Sequence, residues 1–218
     1  MIETKESTGS WGTNISLAHN NIVMIGQNPF TLNQGTGDPM TGTGNRIGDK
    51  ITCKGVLFKC FFENALSRSR VHYRVMLIRG AKGETFSRST IFKNNSNNKT
   101  IDQIDTERFT VVASKKFTIT SASAAASSVQ LVTGAPVELL PSGTTFGGQG
   151  SKAFSMWVPG HKFRKGGNIV YENGSTTQVK FFDYRICVMA YDWYGTPQDV
   201  NNVGIINEAY TKLYYKDA

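Results

Sequence analysis

The sequence predicts an all-β protein, and three observations carry that prediction. Several segments alternate apolar and polar residues, as strands with one buried face do. The 218 residues show neither an internal repeat nor a sustained helical period of apolar residues. The C-terminal residues 207–218 still have a strand pattern, and a terminal strand is normally tied into a sheet because unanchored termini fray.

Residues 1–44 differ from the rest of the chain in composition. They are poor in charge and rich in Gly, Asn and Thr, with one apolar patch at residues 21–26. Such a composition does not form a packed core alone. We therefore predict an extended N-terminal arm over residues 1–44 and a folded domain over residues 45–218.

Residues 48–64 predict one long, bent strand. Its apolar face shifts by one position at Gly55, which is what a β-bulge produces. Residues 71–80 predict a second strand, joined to the first by a loop short enough for direct neighbours in a sheet. Residues 106–120 predict one or two further strands, with a break at residues 114–116. The remaining predicted strands are residues 152–160, 167–174, 179–195 and 207–218, which brings the count to about eight.

Two long polar inserts, residues 81–105 and 121–151, separate these strands. The second insert is predicted to be a loop in which a helical turn is possible, because Ala and Ser content alone does not decide between the two. Such unequal loop lengths argue against an up-and-down barrel. An eight-stranded antiparallel jelly roll tolerates them, and one core suffices for a chain of this length.

Composition limits the partners and the chemistry. The 24 Lys and Arg residues against 16 Asp and Glu residues give a net charge of +8, which favours a polyanionic partner, nucleic acid first. The three cysteines form no CxxC pair and the histidines are scattered, so we expect buried free thiols in a reducing compartment and no zinc site. The sequence has no apolar run of bilayer length and no signal-peptide pattern, which predicts a soluble protein.

No motif in the sequence predicts catalysis. It contains neither a G-x-S-x-G elbow nor an H-E-x-x-H pair, and its glycine-rich segments lack the GK[ST] ending of a phosphate loop. An enzyme on a cupin-type jelly roll would need two or three histidines and a carboxylate around a metal, whereas His19, His72 and His161 are scattered. We therefore predict no enzyme, no catalytic or metal-binding residue and no cofactor.

Lysines recur on the predicted strands. If the first and last strands of the folded domain pair, as in a jelly roll, five of these lysines share the outer side or the rim of one sheet. Such a positive face would bind phosphates without regard to base sequence, and ordinary solubilising lysines are the alternative. The predicted nucleic-acid-binding residues are Lys5, Lys50, Lys54, Lys59, Lys115, Lys116, Lys212 and Lys216.

Aromatic residues come in consecutive pairs, and such a pair in a strand sends one ring to each face of the sheet. Outward rings need a partner. Protein interfaces favour Tyr, Trp and Phe, and single-strand-binding proteins stack bases on such rings. We favour subunit contact, because these strands lack the interleaved basic and aromatic residues of an RNA-binding sheet. The predicted interface residues are Phe61, Trp157, Phe181, Trp193, Tyr194 and Tyr215.

The order of several motifs resembles the capsid proteins of small circular single-stranded DNA viruses, the circovirus and geminivirus group. The resemblance covers residues 45–218 and rests on "RIGDKI" with a glycine four residues later, on "VHYRVMLIRG" and on the terminal "LYYKD". In that family an Arg-rich arm usually neutralises the packaged genome. Here residues 1–44 contain Lys5 and no other Lys or Arg. Either such an arm has been removed from this chain, or it is absent and the inner sheet is expected to supply the charge.

The resemblance implies a single viral jelly roll of two four-stranded antiparallel sheets. It implies a structural protein of the virion that assembles with copies of itself into an icosahedral shell, in the host nucleus or cytoplasm. The shell would enclose a single-stranded nucleic-acid genome, DNA favoured over RNA. The alternative from another class is a jelly-roll carbohydrate-binding, lectin-like module that uses its aromatic residues against sugar.

Overall fold

The computed structural model describes residues 4–26, 28–35, 45–65, 68, 70–93, 101–121, 150–173, 177–192 and 202–218. These residues form an all-β protein with antiparallel main sheets, as predicted, and one short helix, α1 (Arg88–Ile91). The strands are β1 (Lys5–Ala18), β2 (Asn21–Ile25), β3 (Asn33–Gln34), β4 (Asn45–Arg46), β5 (Lys50–Asn64), β6 (Arg70–Ala81), β7 (Phe109–Thr120), β8 (Ser151–Pro159), β9 (Asn168–Val170), β10 (Phe182–Asp192) and β11 (Asn202–Asp217).

The strands form two main sheets that face each other across a core. The large sheet has the order β1-β11-β5-β8, and β9 pairs with the first residues of β5. The small sheet has the order β10-β6-β7, while β3 and β4 form a separate parallel pair. Residues of both main sheets belong to one apolar cluster, which is the core of a sandwich.

The predicted pairing of the first and last strands of residues 45–218 is confirmed, because β5 and β11 are antiparallel neighbours. The predicted bulge in β5 is confirmed as well. Tyr214 lies opposite Gly55 and Tyr215 lies opposite Cys53, so Lys54 is the extra residue. The bulge lets β5 keep its apolar side chains toward the core on both sides of this point.

The prediction that the first two strands of the folded domain are neighbours in one sheet is wrong. β5 belongs to the large sheet and β6 to the small one. They face each other across the core, where the rings of Phe62 and Tyr73 lie 4.9 Å apart. At the crossing, the Asn64 side chain donates to the Ile119 carbonyl at 3.1 Å and accepts from the Tyr73 hydroxyl at 2.8 Å, so the short link joins the two sheets.

The break predicted at residues 114–116 is not found, because β7 is one continuous strand. Lys115 and Lys116 pair in register with Val75 and Arg74 of β6. The irregularity of this strand lies instead at Val112, where the register shifts. A lysine pair does not interrupt an edge strand, because exposed charge is compatible with a sheet edge.

The predicted boundary at residue 44 between an arm and a folded domain needs correction. β1 pairs with β11 from Lys5 opposite Tyr215 to Ala18 opposite Asn202. Core residues also come from this part of the chain, namely Leu17, Ile25, Phe30 and Leu32. Backbone pairing with β11 provides the hydrogen bonds that hold this polar segment in the sheet.

A second apolar cluster lies on part of the outer face of the small sheet. β2 runs beside β10, and the Asn20 amide donates to the Ala190 carbonyl at 2.8 Å. Helix α1, whose N-cap Ser87 accepts from the Thr90 amide, covers the neighbouring part of the same face. The buried residues of this cluster are Ile22, Met76, Ile78, Ile91, Phe92, Phe109, Cys187 and Met189.

Candidate nucleic-acid interface

The outer face of the large sheet, which we call the bare face, carries aromatic and basic side chains in register. It is built by strand alternation, which turns every second residue of β1, β11, β5 and β8 away from the core. Cross-strand pairing places these residues in rows across the sheet. Four of the rows are Glu6–Tyr214–Gly55–Pro159, Thr8–Lys212–Leu57–Trp157, Ser10–Tyr210–Lys59–Ser155 and Thr13–Glu208–Phe61–Ala153.

Trp157 is the largest exposed ring of the bare face, with 49% of its surface accessible. Its indole lies over Gly55: a Cβ added to this glycine would meet Trp157 Cζ2 at 2.1 Å, Cη2 at 2.4 Å and Cε2 at 2.8 Å. Three ring atoms at such similar distances mean that the Cβ position is above the face of the ring rather than beyond its edge. The Tyr214 ring borders the indole with a centroid distance of 5.6 Å and an interplanar angle of 61°.

Five of the predicted lysines lie on the bare face: Lys50, Lys54, Lys59, Lys212 and Lys216. Lys212 forms an ion pair with Glu6, and the hydrogen bond between the two side chains raises the pKa of Lys212. The other four form no ion pair with the described part of the chain. Their charges are therefore available to an anionic partner.

The charge of the bare face is not uniform. Glu208 lies in the row of Phe61, and Glu63 lies at the end of β5 opposite Ser151. Both carboxylates are therefore at the end of the sheet away from Lys54 and Lys216. The part of the face around Trp157 carries Lys54, Lys59 and Lys212, with Glu6, the ion-pair partner of Lys212, as its carboxylate.

The other three predicted lysines lie elsewhere. Lys5 forms an ion pair with Asp217. Lys115 donates to the Ser155 carbonyl at 2.9 Å, where the edges of β7 and β8 meet. Lys116 lies opposite Arg74 on the small sheet. These three lysines do not contribute to the bare face.

The predicted interface residues are divided among several places. Phe61 and Trp157 are on the bare face, 37% and 49% exposed. Phe181, 41% exposed, lies near one end of the sandwich, where the Arg164 guanidinium is 4.5 Å from its ring centroid. Trp193 and Tyr194 lie outside the described residues.

Tyr215 was predicted at the interface, and this prediction is wrong. Its ring is buried in the core, its hydroxyl donates to the Asn45 carbonyl at 3.1 Å, and burial raises its pKa to about 12. Tyr214 is the outward member of the pair. Alternation requires one ring on each face, but it does not say which ring points outward.

The structure thus brings together two sets of residues that the sequence analysis assigned to different surfaces. Lys54 and Lys59 share one face with Trp157 and Phe61 because β5 and β8 are neighbours, and that pairing joins residues about a hundred positions apart. Leu57 and Tyr210 also belong to this face and were not predicted from the sequence. Cross-strand register is the signal that would have found them.

No group of three or more His, Cys, Asp or Glu residues that could hold a metal occurs in the described part of the chain. Cys53, Cys60 and Cys187 are free and buried, as predicted, and burial raises the pKa of the Cys53 thiol to about 12. Among the described residues, no helix has both the length and the apolar character to cross a bilayer. A scan against models of protein families finds no match, and a search of curated proteins finds no significant one.

Proposed function

We propose that this protein is a viral capsid protein, which self-assembles into an icosahedral shell and encloses a single-stranded nucleic-acid genome, DNA in preference to RNA. The observation that carries the proposal is the bare face. Among the described residues, the outer face of the large sheet presents lysines and exposed rings, while the apolar part of the other sheet's outer face is covered by the chain itself. Exposed rings beside lysines without an ion pair are complementary to an anionic partner that also offers flat, apolar groups.

Nucleic acid fits the bare face better than a second copy of the chain does. Lysine is depleted in the centre of protein interfaces, because burying an unpaired ammonium group costs several kcal/mol, of the order of 3–5. Lys54 and Lys59 have no acidic partner in the described part of the chain. A polyphosphate supplies that partner along its whole length and releases counterions as it binds.

The proposed shell fold is an eight-stranded viral jelly roll, and two facing antiparallel sheets with β5 beside β11 are compatible with it. In this proposal the bare face is the inner surface of the shell. The copies then meet through the ends and edges of the sandwich, where Phe181 is exposed between Arg164 and Lys180.

A lectin-like module would use the same exposed rings against sugar. Neutral sugars stack on aromatic rings but leave the positive charge of Lys54, Lys59 and Lys216 without a partner. For this reason we place the carbohydrate-binding function second. A glycan array read with the full chain distinguishes the two, because binding of neutral glycans without any shell formation contradicts the capsid proposal.

Electron microscopy of the purified full chain tests the proposal directly. The chain is incubated at assembly-promoting salt with and without circular single-stranded DNA. We expect closed particles of uniform diameter, and nuclease-protected DNA when DNA is present. Stable monomers in size-exclusion chromatography under both conditions would contradict the proposal.

A matched variant separates assembly from packaging. The Lys54→Ala, Lys59→Ala and Lys216→Ala triple variant removes charge from the bare face and touches no apolar core residue. We expect it to form shells that protect less DNA than the parent. A variant that protects as much DNA as the parent would place the genome against another surface.

A further inference from the structure

We infer that the solvent-facing side of the Trp157 indole is a stacking platform for one unpaired base, so that the bare face prefers single strands to duplex. This inference rests on the proposed function and deepens it. It concerns the kind of nucleic acid that the face selects, whereas the lysines alone would bind any polyphosphate. Trp157, which was predicted as a subunit-interface residue, is in this inference a contact to the nucleic acid.

The indole has the geometry of a platform. One of its faces lies against the backbone at Gly55, where three ring atoms are within 2.8 Å of the position that a Cβ would take. Because the residue is still 49% exposed, we assign the exposed area to the opposite face and the outer edge of the ring. Tyr214, tilted at 61°, borders one side of the ring. A flat base can therefore reach the indole from solvent.

Gly55 gives this geometry its room. Its φ is not in the left-handed region, so the backbone conformation does not require glycine there. A glycine inside a strand costs about 0.5–1 kcal/mol relative to alanine. Glycine is favoured at position 55 because the side chain of any larger residue would fill the space that the indole occupies. A tryptophan that covers a strand glycine also protects the strand, so the test must separate that structural role from ligand binding.

The charges around the ring fit a single strand. Lys54 adjoins Gly55 in the bulge, and Lys212 Nζ lies 5.3 Å from the centroid of the Tyr214 ring. In single-strand-binding proteins a basic groove follows the phosphates while rings stack on successive bases, without regard to base sequence. A duplex stacks its bases on one another and offers mainly phosphates to a flat sheet, so it gains nothing from the indole.

Fluorescence anisotropy of the full chain with labelled oligothymidine and with a duplex of the same length tests the inference. We expect Trp157→Ala to weaken binding of the single strand by roughly 5- to 100-fold and to leave duplex binding unchanged. Trp157→Phe keeps a ring and should retain most of the affinity. Ile101→Ala, which truncates an exposed apolar residue outside the bare face, is the control and should bind like the parent.

Gly55→Ala is the second test, because its Cβ displaces the indole while every ring and charge remains. We expect a loss of single-strand affinity that approaches that of Trp157→Ala. Circular dichroism and thermal unfolding identify variants that fail to fold. Should Trp157→Ala be one of them, the comparison of Trp157→Phe with Gly55→Ala decides.

The outcomes separate the inference from the proposed function. If Trp157→Ala binds oligothymidine as the parent does, or if the parent binds duplex as tightly as single strand, the stacking platform is overturned. If the same variant keeps its affinity but loses its shells, Trp157 is a subunit contact, which overturns the inference and leaves the capsid proposal intact. A parent that neither binds nucleic acid nor assembles overturns both.

Discussion

The two sheets bury their inner faces against each other, but their outer faces differ. Part of the outer face of the small sheet is apolar, and the chain covers that part with β2 and with the segment that contains α1, whereas Arg74 and Lys116 lie on the rest of this face. The outer face of the large sheet carries lysines and exposed rings, and the described residues do not cover it. A sandwich buries one face of each sheet, its inner face. An apolar outer face, such as that part of the small sheet, is therefore buried only if another segment of the chain covers it.

The difference can be traced to the strand sequences. In β6 the four residues 75–78 are all buried, and in β10 residues 186–190 are all buried. Continuous apolar runs are typical of strands that are covered on both faces, whereas β5 alternates buried residues with Lys and Thr. The chain therefore supplies a cover where the outer face is apolar. It leaves the outer face of the large sheet, with Lys54 and Lys59, without a cover from the described residues.

Thiol labelling should show the largest difference between the two outer faces. Cys187 lies beneath the cover of the small sheet, and burial raises its pKa. We expect its modification at neutral pH to require opening of the structure. A thiol introduced by Ser155→Cys on the bare face should react at least about a hundred times faster.

The control for the labelling experiment is the parent in urea, where all three native thiols should react. Rapid labelling of Cys187 in the native parent, located by peptide mapping, would mean that the cover of the small sheet is open in solution. In assembled particles with DNA, we expect the thiol introduced by Ser155→Cys to be protected. Labelling at the free-subunit rate would place the bare face on the outside of the shell.

Truncating core and bare-face residues should give the next largest difference. Ile78 is buried beneath the cover, so Ile78→Ala should lower the free energy of unfolding by about 2–5 kcal/mol. Phe61 is 37% exposed, and Phe61→Ala should cost less than about 1 kcal/mol. Urea unfolding of unassembled subunits measures both. Equal losses would show that the bare face is as important to the subunit's stability as the covered one.

Substituting a single lysine should change the salt dependence of single-strand binding only if that lysine lies on the bare face. Lys59 lies on the bare face and Lys116 on the small sheet. Removing one phosphate contact reduces the slope of log affinity against log salt by about 0.7 for a single strand. We expect this reduction for Lys59→Ala and no change for Lys116→Ala, measured by anisotropy at several salt concentrations. The reverse pattern would assign the nucleic acid to the small sheet.

Part of this difference could be predicted from sequence. The phase shift at Gly55 predicted the bulge, and the lysine spacing on the first and last strands predicted a shared face. Both signals are local: they depend on alternation within one strand and on one assumed pairing. The all-β class follows from the same alternation.

The rest depends on contacts that no local pattern contains. The position of Trp157 over Gly55 requires the β5–β8 register, which joins residues about a hundred positions apart. β1 was missed as a strand of the sheet, because its bonds to β11 come from the backbone and leave little trace in side-chain hydropathy. The short link from β5 to β6 suggested neighbours in one sheet, yet it crosses between the sheets. Where it crosses, Asn64 at the end of β5 forms hydrogen bonds with Tyr73 and Ile119 of the small sheet.

The smallest expected effect concerns acid and the cover of the small sheet. His19 lies just before β2, its ring is 4.8 Å from that of Tyr191, and its Nδ1 accepts from the Asp192 amide at 3.1 Å. Burial holds the pKa of His19 below its ordinary value of 6.5, although the nearby Asp192 charge opposes this. The unfolded chain therefore takes up a proton more readily than the folded one. Stability should fall as the pH drops below about 6.5.

We expect the loss between pH 7.5 and pH 5.5 to be well under about 1 kcal/mol, because the His19 ring is partly exposed and solvent screens its charge. His19→Asn keeps an acceptor for the Asp192 amide and removes the titration, so its unfolding free energy should depend less on pH than the parent's. His161→Asn, at an exposed position, is the control. Equal pH dependence in the parent and in His19→Asn would show that acid does not destabilise the protein through His19, just before β2. The cover of the small sheet would then not depend on pH through this residue.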